Sequence, residues 1–202
     1  RAFFLDRYRP TPLVAPWGAR SGFFAGSSEK TAREALSAIS NSDSNRLEPY
    51  RITINAARNL LSSHGFDEKA SDEKKIELLN LCRAELPDLI VPWLDACYVL
   101  TSEGRKFPPL LGTGGNEGSG SYVSGFAQQV VACIVRRGHD HALESALFGI
   151  AASDAHADQT PGHFSPQGSG GANASTGFEG GVQLNAWDYL LCLEGTLLFA
   201  GA

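Results

Sequence analysis

Six glycines fall within the fourteen residues from Gly112 to Gly125, and the stretch runs straight into an apolar, helix-forming segment. Glycine loses more backbone entropy on folding than any other residue, so such a run persists as a linker or where backbone must approach something closely. The flanks favour close approach. Pro108-Pro109 stiffens the lead-in, Leu110-Leu111 anchors it, and Phe126 to Val135 supplies a helix whose first-turn N–H groups face the glycines. Unpaired N–H groups and the helix dipole both favour an anion there. The order is not that of a P-loop, because no Gly-Lys-Ser/Thr follows the glycines. Lys106-Phe107-Pro108-Pro109 is also a poor central strand, which argues against a dinucleotide fingerprint. Two readings remain: a cradle for phosphate or nucleic-acid backbone, or a tight structural loop between helices.

A second chemical possibility lies in His139-Asp140-His141, followed by Asp154, His156, Asp158 and His163. Histidine and aspartate ligate metals, and an HD dipeptide invites a metal-dependent phosphohydrolase built on His139 and Asp140. That architecture also needs a separate upstream histidine and a helical downstream aspartate, and neither is evident. No serine nucleophile elbow, paired acid–base set or catalytic Cys–His spacing occurs elsewhere. The expectation is a protein without catalytic residues, resident metal or cofactor.

The first segment has the composition of a ligand-facing loop. Pro10, Pro12 and Pro16 forbid a helix and make a central strand unfavourable, so Tyr8 to Trp17 is expected to run extended into a turn at Gly18. Trp17, Phe23 and Phe24 have faces on which bases stack or which fill a core, and Arg7, Arg9 and Arg20 suit phosphates or internal carboxylates.

The elements that must position these stretches are helical. Ser28 to Ile39 carries Ala32, Ala35, Leu36 and Ile39 at helical spacing. Pro49 to Ser63 reads as a helix with proline in its first turn and a stop at Gly65, with Arg51, Asn55 and Arg58 on one polar face. Ser71 opens another, with Ile76, Leu79 and Leu81 expected inward and an end before Pro87. Asp88 to Leu100 is expected to follow as a helix holding Leu89, Trp93, Ala96, Cys97 and Leu100, pairing with its predecessor as a hairpin. The post-glycine helix should end near Arg137 with Gly138 as cap, and His139 to His141 should open a short one. Thr160 to Gly181 is a second glycine-rich segment, expected to be a mobile loop; with the first it holds 13 of the 22 glycines. Asn185 then caps a helix carrying Trp187, Leu190, Leu191, Leu193, Leu197 and Leu198, apolar enough to be buried centrally.

At 202 residues, 43% apolar and 19% charged, the chain can bury a real core as one domain. The fold class expected is mainly α: an irregular helical domain over 1–202, with an extended proline-rich segment over 1–26, long glycine-rich loops over 104–125 and 160–184, and little or no sheet. The absence of methionine, the start at Arg1 and the stop inside an apolar run read as a piece of a longer polypeptide. Cys82, Cys97, Cys133 and Cys192 are spread singly and read as buried thiols. Without a signal peptide or a bilayer-spanning run, a cytoplasmic location with no membrane partner is expected. The net charge of −5 disfavours generic nucleic-acid binding, yet it is polarised. Residues 1–47 carry seven Lys/Arg against four Asp/Glu, whereas seven acids and no Lys or Arg follow Arg137. A basic first part suits phosphate, and an acidic remainder suits solvent or a basic partner subunit.

Three stretches in order resemble a known family. They are Tyr8-Arg9-Pro10-Thr11-Pro12-Leu13-Val14-Ala15-Pro16-Trp17 with Ser21-Gly22-Phe23, then Leu110-Leu111-Gly112-Thr113-Gly114-Gly115-Asn116-Glu117-Gly118, and then Asn185-Ala186-Trp187-Asp188 with Leu193-Glu194-Gly195 and Leu197 to Ala202. Together they resemble the large subunit of type I-G (formerly I-U) CRISPR Cascade surveillance complexes, of which this chain would be a fragment. The resemblance implies a non-catalytic subunit that works with guide RNA, target DNA and other Cascade subunits. Such subunits recognise the short duplex motif beside the target and present opened DNA to a helicase-nuclease recruited in trans. Carried over by position, the nucleic-acid contacts would be Arg9, Trp17 and Arg20 in the first motif and Thr113, Gly114, Gly115 and Asn116 in the second. Asn185, Trp187 and Asp188 would be cap and core. A purely architectural subunit is the remaining alternative.

Overall fold

The computed structural model describes residues 1–24, 30–101, 104–106, 121–136, 140–149, 156–159 and 182–200. Helices dominate these residues, so the fold is mainly α as expected. Seven helices carry the described core: α1 Lys30–Ser40, α2 Glu48–Ser63, α3 Asp72–Glu85, α4 Val91–Cys97, α5 Ser121–Val130, α6 Asp140–Phe148 and α7 Ala186–Ala200. Strand pairing is confined to two short antiparallel ladders, β1 Val99–Thr101 with β2 Gly104–Lys106, and β3 His156–Gln159 with β4 Val182–Leu184.

Helix α1 turns Ala32, Ala35, Leu36 and Ile39 inward, the stripe that its spacing predicts. Helix α2 has Pro49 in its first turn and buries Tyr50, Thr53, Ile54, Ala57, Leu60 and Leu61. Its end is a Schellman motif: the Phe66 amide bonds to the Leu61 carbonyl, the Gly65 amide to that of Ser62, and Gly65 adopts φ +69°. Helix α5 runs on into a π-helical turn, Val131–Val135, closed by the Arg136 amide on the Val131 carbonyl. Helix α5 packs on both α1 and α7; α7 also meets α4 and α6, and α2 lies between α1 and α3. The expected caps at Ser28 and Gly138 and the segment from Thr160 to Gly181 lie outside the described residues.

Several expectations are corrected. In α3, Leu78, Leu79 and Cys82 point inward, whereas Ile76 is 39% exposed and Leu81 only half-buried. The helix after Pro87 begins as a 3-10 turn over Asp88–Ile90, which puts Ile90 rather than Leu89 in the core. It stops at Cys97, short of Leu100, because Tyr98 turns extended (φ −158°, ψ 153°) and leads into β1. That conformation takes the Tyr98 ring edge-on to Trp17, with centroids 5.7 Å apart, and lets its hydroxyl donate to the Leu79 carbonyl at 2.9 Å. A π-helical turn over Phe3–Arg7 precedes the extended segment, which the composition does not announce. In α7 only the first two turns are deeply buried; Leu198 and Phe199 are 79% and 78% exposed. Cys82, Cys97 and Cys133 are buried as expected, but Cys192 is exposed.

Burial of the thiols sets an alkaline limit on stability. The Cys82 thiol rises from 9.0 to about 12, chiefly through burial and secondarily through the charge of Glu85. Burial also raises Cys97 and Cys133. A proton held more tightly in the folded state stabilises fully below the unfolded value, and that contribution is lost as pH climbs towards the folded one. Urea unfolding should therefore show a loss on the order of 2 kcal/mol for each such thiol between about pH 8 and about pH 10.5. Unchanged stability over that interval would contradict the burial of these thiols.

Candidate nucleic-acid interface

The extended first segment is built into the core. Pro10, Pro12, Leu13, Val14, Ala15, Pro16 and Trp17 are all buried. A buried extended chain must satisfy its backbone groups, and proline helps because it has no N–H to satisfy. The carbonyls are met by side chains from the helices: the Tyr50 hydroxyl donates to the Leu13 carbonyl at 2.7 Å, and Trp93 Nε1–H to that of Val14 at 2.7 Å. Glu194, in the third turn of α7, meets donors of the same segment. Its Oε1 accepts from the Tyr8 hydroxyl at 2.7 Å and the Thr11 amide at 2.8 Å, while Oε2 accepts from the Thr11 hydroxyl at 2.6 Å. Burial, followed by the Glu194 charge and hydrogen bond, pushes the Tyr8 phenol far above its ordinary value, so it remains a donor. The Tyr8 ring also packs against Trp187, 5.9 Å away, and Phe4 stands edge-on to Trp187 at 6.2 Å. The first and third motifs of the sequence thus form one physical unit.

This placement separates the expected contact residues. Trp17 is 2% exposed and packs on Tyr98, so it is corrected from a base-stacking residue to a core residue. Arg9 is exposed between buried Tyr8 and Pro10. Arg20 is exposed in the turn after Gly18, where the Ser21 hydroxyl donates to the Gly18 carbonyl at 2.7 Å. Gly22 (φ +87°) seats that turn against α1, since a Cβ there would stand 2.8 Å from the Ala32 backbone. Thr113, Gly114, Gly115 and Asn116 lie outside the described residues. Other basic residues near the first segment have structural tasks. Arg46 donates to the carbonyls of Phe4 and Leu5, Arg51 to those of Ser42 and Ser44, and Arg1 pairs with Glu144. Arg51 is therefore a clamp, while Asn55 and Arg58 belong to the same helix, with Arg58 exposed and Asn55 at the surface.

The two glycine-rich segments lead into neighbouring helix starts. Residues 107–120 precede α5, and 160–181 precede β4 and then α7. Near those starts the Tyr189 hydroxyl of α7 donates to the Tyr122 carbonyl of α5 at 3.0 Å. Gly125 admits Tyr189, because a Cβ there would be 2.7 Å from its hydroxyl oxygen. Asn185 caps α7 as expected, accepting from the Trp187 amide at 3.0 Å, and its amide donates to the Ala142 carbonyl of α6. The two starts differ electrostatically. Helix α7 carries Asp188 in its first turn, half-buried with its carboxyl raised by burial, whereas the first turn of α5 carries no acid. Of the two dipole ends, that of α5 therefore has no acid of its own to offset it.

Of the histidine cluster, Asp140 and His141 begin α6, and the His141 ring stands 3.6 Å from Glu144 in solvent. His139, Asp154 and His163 lie outside the described residues, among which no group of three His, Cys, Asp or Glu is placed to hold a metal. No described helix is long and apolar enough to cross a membrane. No protein-family model matches the chain, and no curated protein matches it.

Sequence reasoning missed Glu194 as the partner of Tyr8 and Thr11, although a single acid inside the apolar run from Leu190 to Ala200 was the available signal. Glu194→Gln keeps the shape but removes the charge from a three-donor acceptor. It should lower unfolding free energy by about 1.5–3 kcal/mol, the range for hydrogen bonds to a charged group, with Tyr8→Phe losing less. Equal stability of Glu194→Gln and wild type in urea would contradict this assignment.

Proposed function

We propose that this chain is part of a non-catalytic large subunit of an RNA-guided CRISPR effector complex of the type I-G kind. In this reading it contacts target DNA beside the protospacer and supports recruitment of a separate helicase-nuclease in antiviral defence. The observation that carries the reading is the union of the first and third motifs at Glu194: stretches separated by |i−j| of 183–186 residues act as one hydrogen-bonded unit. Motifs that depend on one another physically are better grounds for a family resemblance than three unrelated matches.

The division of labour follows from burial. Tyr8, the prolines and Trp17 hold the fold, while Arg9 and Arg20 are presented on its surface. The second motif, Thr113-Gly114-Gly115-Asn116, stands in sequence just ahead of a helix start that has no acid in its first turn. Arginine at the rim and backbone amides at a helix start suit phosphate, and the Asn116 carboxamide suits a base edge. Guide pairing supplies sequence in such complexes, so the protein needs only backbone cradles and a few base contacts.

The test is binding of the assembled guide-containing complex to duplex DNA with and without a candidate flanking motif, across a salt series. Arg9→Ala and Arg20→Ala should each weaken binding and reduce the salt slope by about 0.9 for each phosphate left without its arginine. Asn116→Ala should weaken the preference for the flanking motif, and Trp17→Ala should impair folding instead. Variants that assemble and bind like wild type would overturn the reading and favour a purely architectural subunit.

A further inference from the structure

We infer that the outer face of α3 is a docking surface for a basic amphipathic helix of a partner protein. This rests on α3 alone and is independent of the nucleic-acid reading. Helix α3 carries apolar side chains beyond its inner side. Its inner side buries Leu78, Leu79 and Cys82 completely, and even Lys75 is turned inward at 9% exposure, while the aliphatic Ile76 stands outside at 39%.

The outer residues form one helical stripe and line a shallow groove of about 580 Å³: Glu73, Ile76, Glu77, Asn80, Leu81 and Ala84. Their spacing of three and four residues is what an apposed helix reads. Contacts with neighbouring elements position α3. Arg83 is ion-paired to Asp95 of α4, His64 beyond α2 meets Glu85 at 2.8 Å, and the Tyr98 hydroxyl holds the Leu79 carbonyl.

Charge selects the occupant. Among the described residues the lining has two carboxylates and no cation, Lys74 standing exposed outside it. A nucleic-acid backbone is excluded by like charge. A second copy paired through the same stripe would bring two more carboxylates and no counter-charge. A helix with leucine-type residues at i, i+3, i+4 and i+7 and flanking Lys or Arg fills the groove around Ile76 and Leu81 and neutralises Glu73 and Glu77.

The probe is a synthetic helix of that pattern, with a twin in which glutamates replace its lysines. The wild-type protein should bind the basic peptide at least about tenfold more tightly than the acidic twin. Ile76→Ser should weaken that binding several-fold, and Glu73→Lys with Glu77→Lys should reverse the preference. Both glutamates are exposed, so the charge-swapped protein keeps its fold and decides the matter even if Ile76→Ser perturbs α3. Glu34→Lys, a charge change on α1, should leave the preference intact. Equal binding of the two peptides, an equal effect of Glu34→Lys, or an Ile76-dependent dimer of the protein itself would each overturn the proposal.

Discussion

The fold depends on a carboxylate placed where an apolar helix would otherwise have another leucine. Glu194 gathers three donors from the first segment, and without it the Thr11 amide and two hydroxyls would meet the side of α7 with no acceptor. A donor left unsatisfied in a part-buried site costs more than the net value of the bond it would have made. The position of the first segment is therefore imposed by α7, and the position of α7 by the first segment.

Consequences spread from that contact. Once Thr11 is fixed, Leu13 and Val14 fall under the Tyr50 hydroxyl and Trp93 indole, which ties α2 and α4 to the same strap. Trp17 then reaches Tyr98, and that ring requires the chain to leave α4 in extended form, so the end of α4 is set by packing rather than by helix propensity. On the far side, Phe4 and Tyr8 close over Trp187. Trp187 Nε1 is buried with no hydrogen-bond partner among the described residues, so this aromatic cluster holds α7 by packing.

Much of the helical frame was legible because its signals are local. The stripe of α1, Pro49 and Gly65 bounding α2, and the Asn185 cap each rest on neighbouring residues. What was not legible depends on distant ones. Pro10, Pro12 and Pro16 read equally well as an exposed ligand loop or a buried strap, and only the donors from Tyr50, Trp93 and the acceptor Glu194 decide between them. Trp17 illustrates the same ambiguity, since an aromatic among arginines suits stacking until Tyr98 is found against it. In α3 the pattern misled because apolar residues are not confined to one face, and choosing Leu78 over Ile76 as the inward residue requires knowing where α2 lies. Of the proposed site, Arg9 and Arg20 stand as exposed groups.

The central claim is that the first segment is an integral core strap held by Glu194. Native-state hydrogen exchange at the Thr11 amide tests it most directly. This amide should exchange only through global unfolding, with a protection free energy matching that of buried amides in α2, and Glu194→Gln should selectively remove that protection. Fast exchange at Thr11 in the wild-type protein, while α2 remains protected, would show that the segment detaches on its own and would contradict the claim.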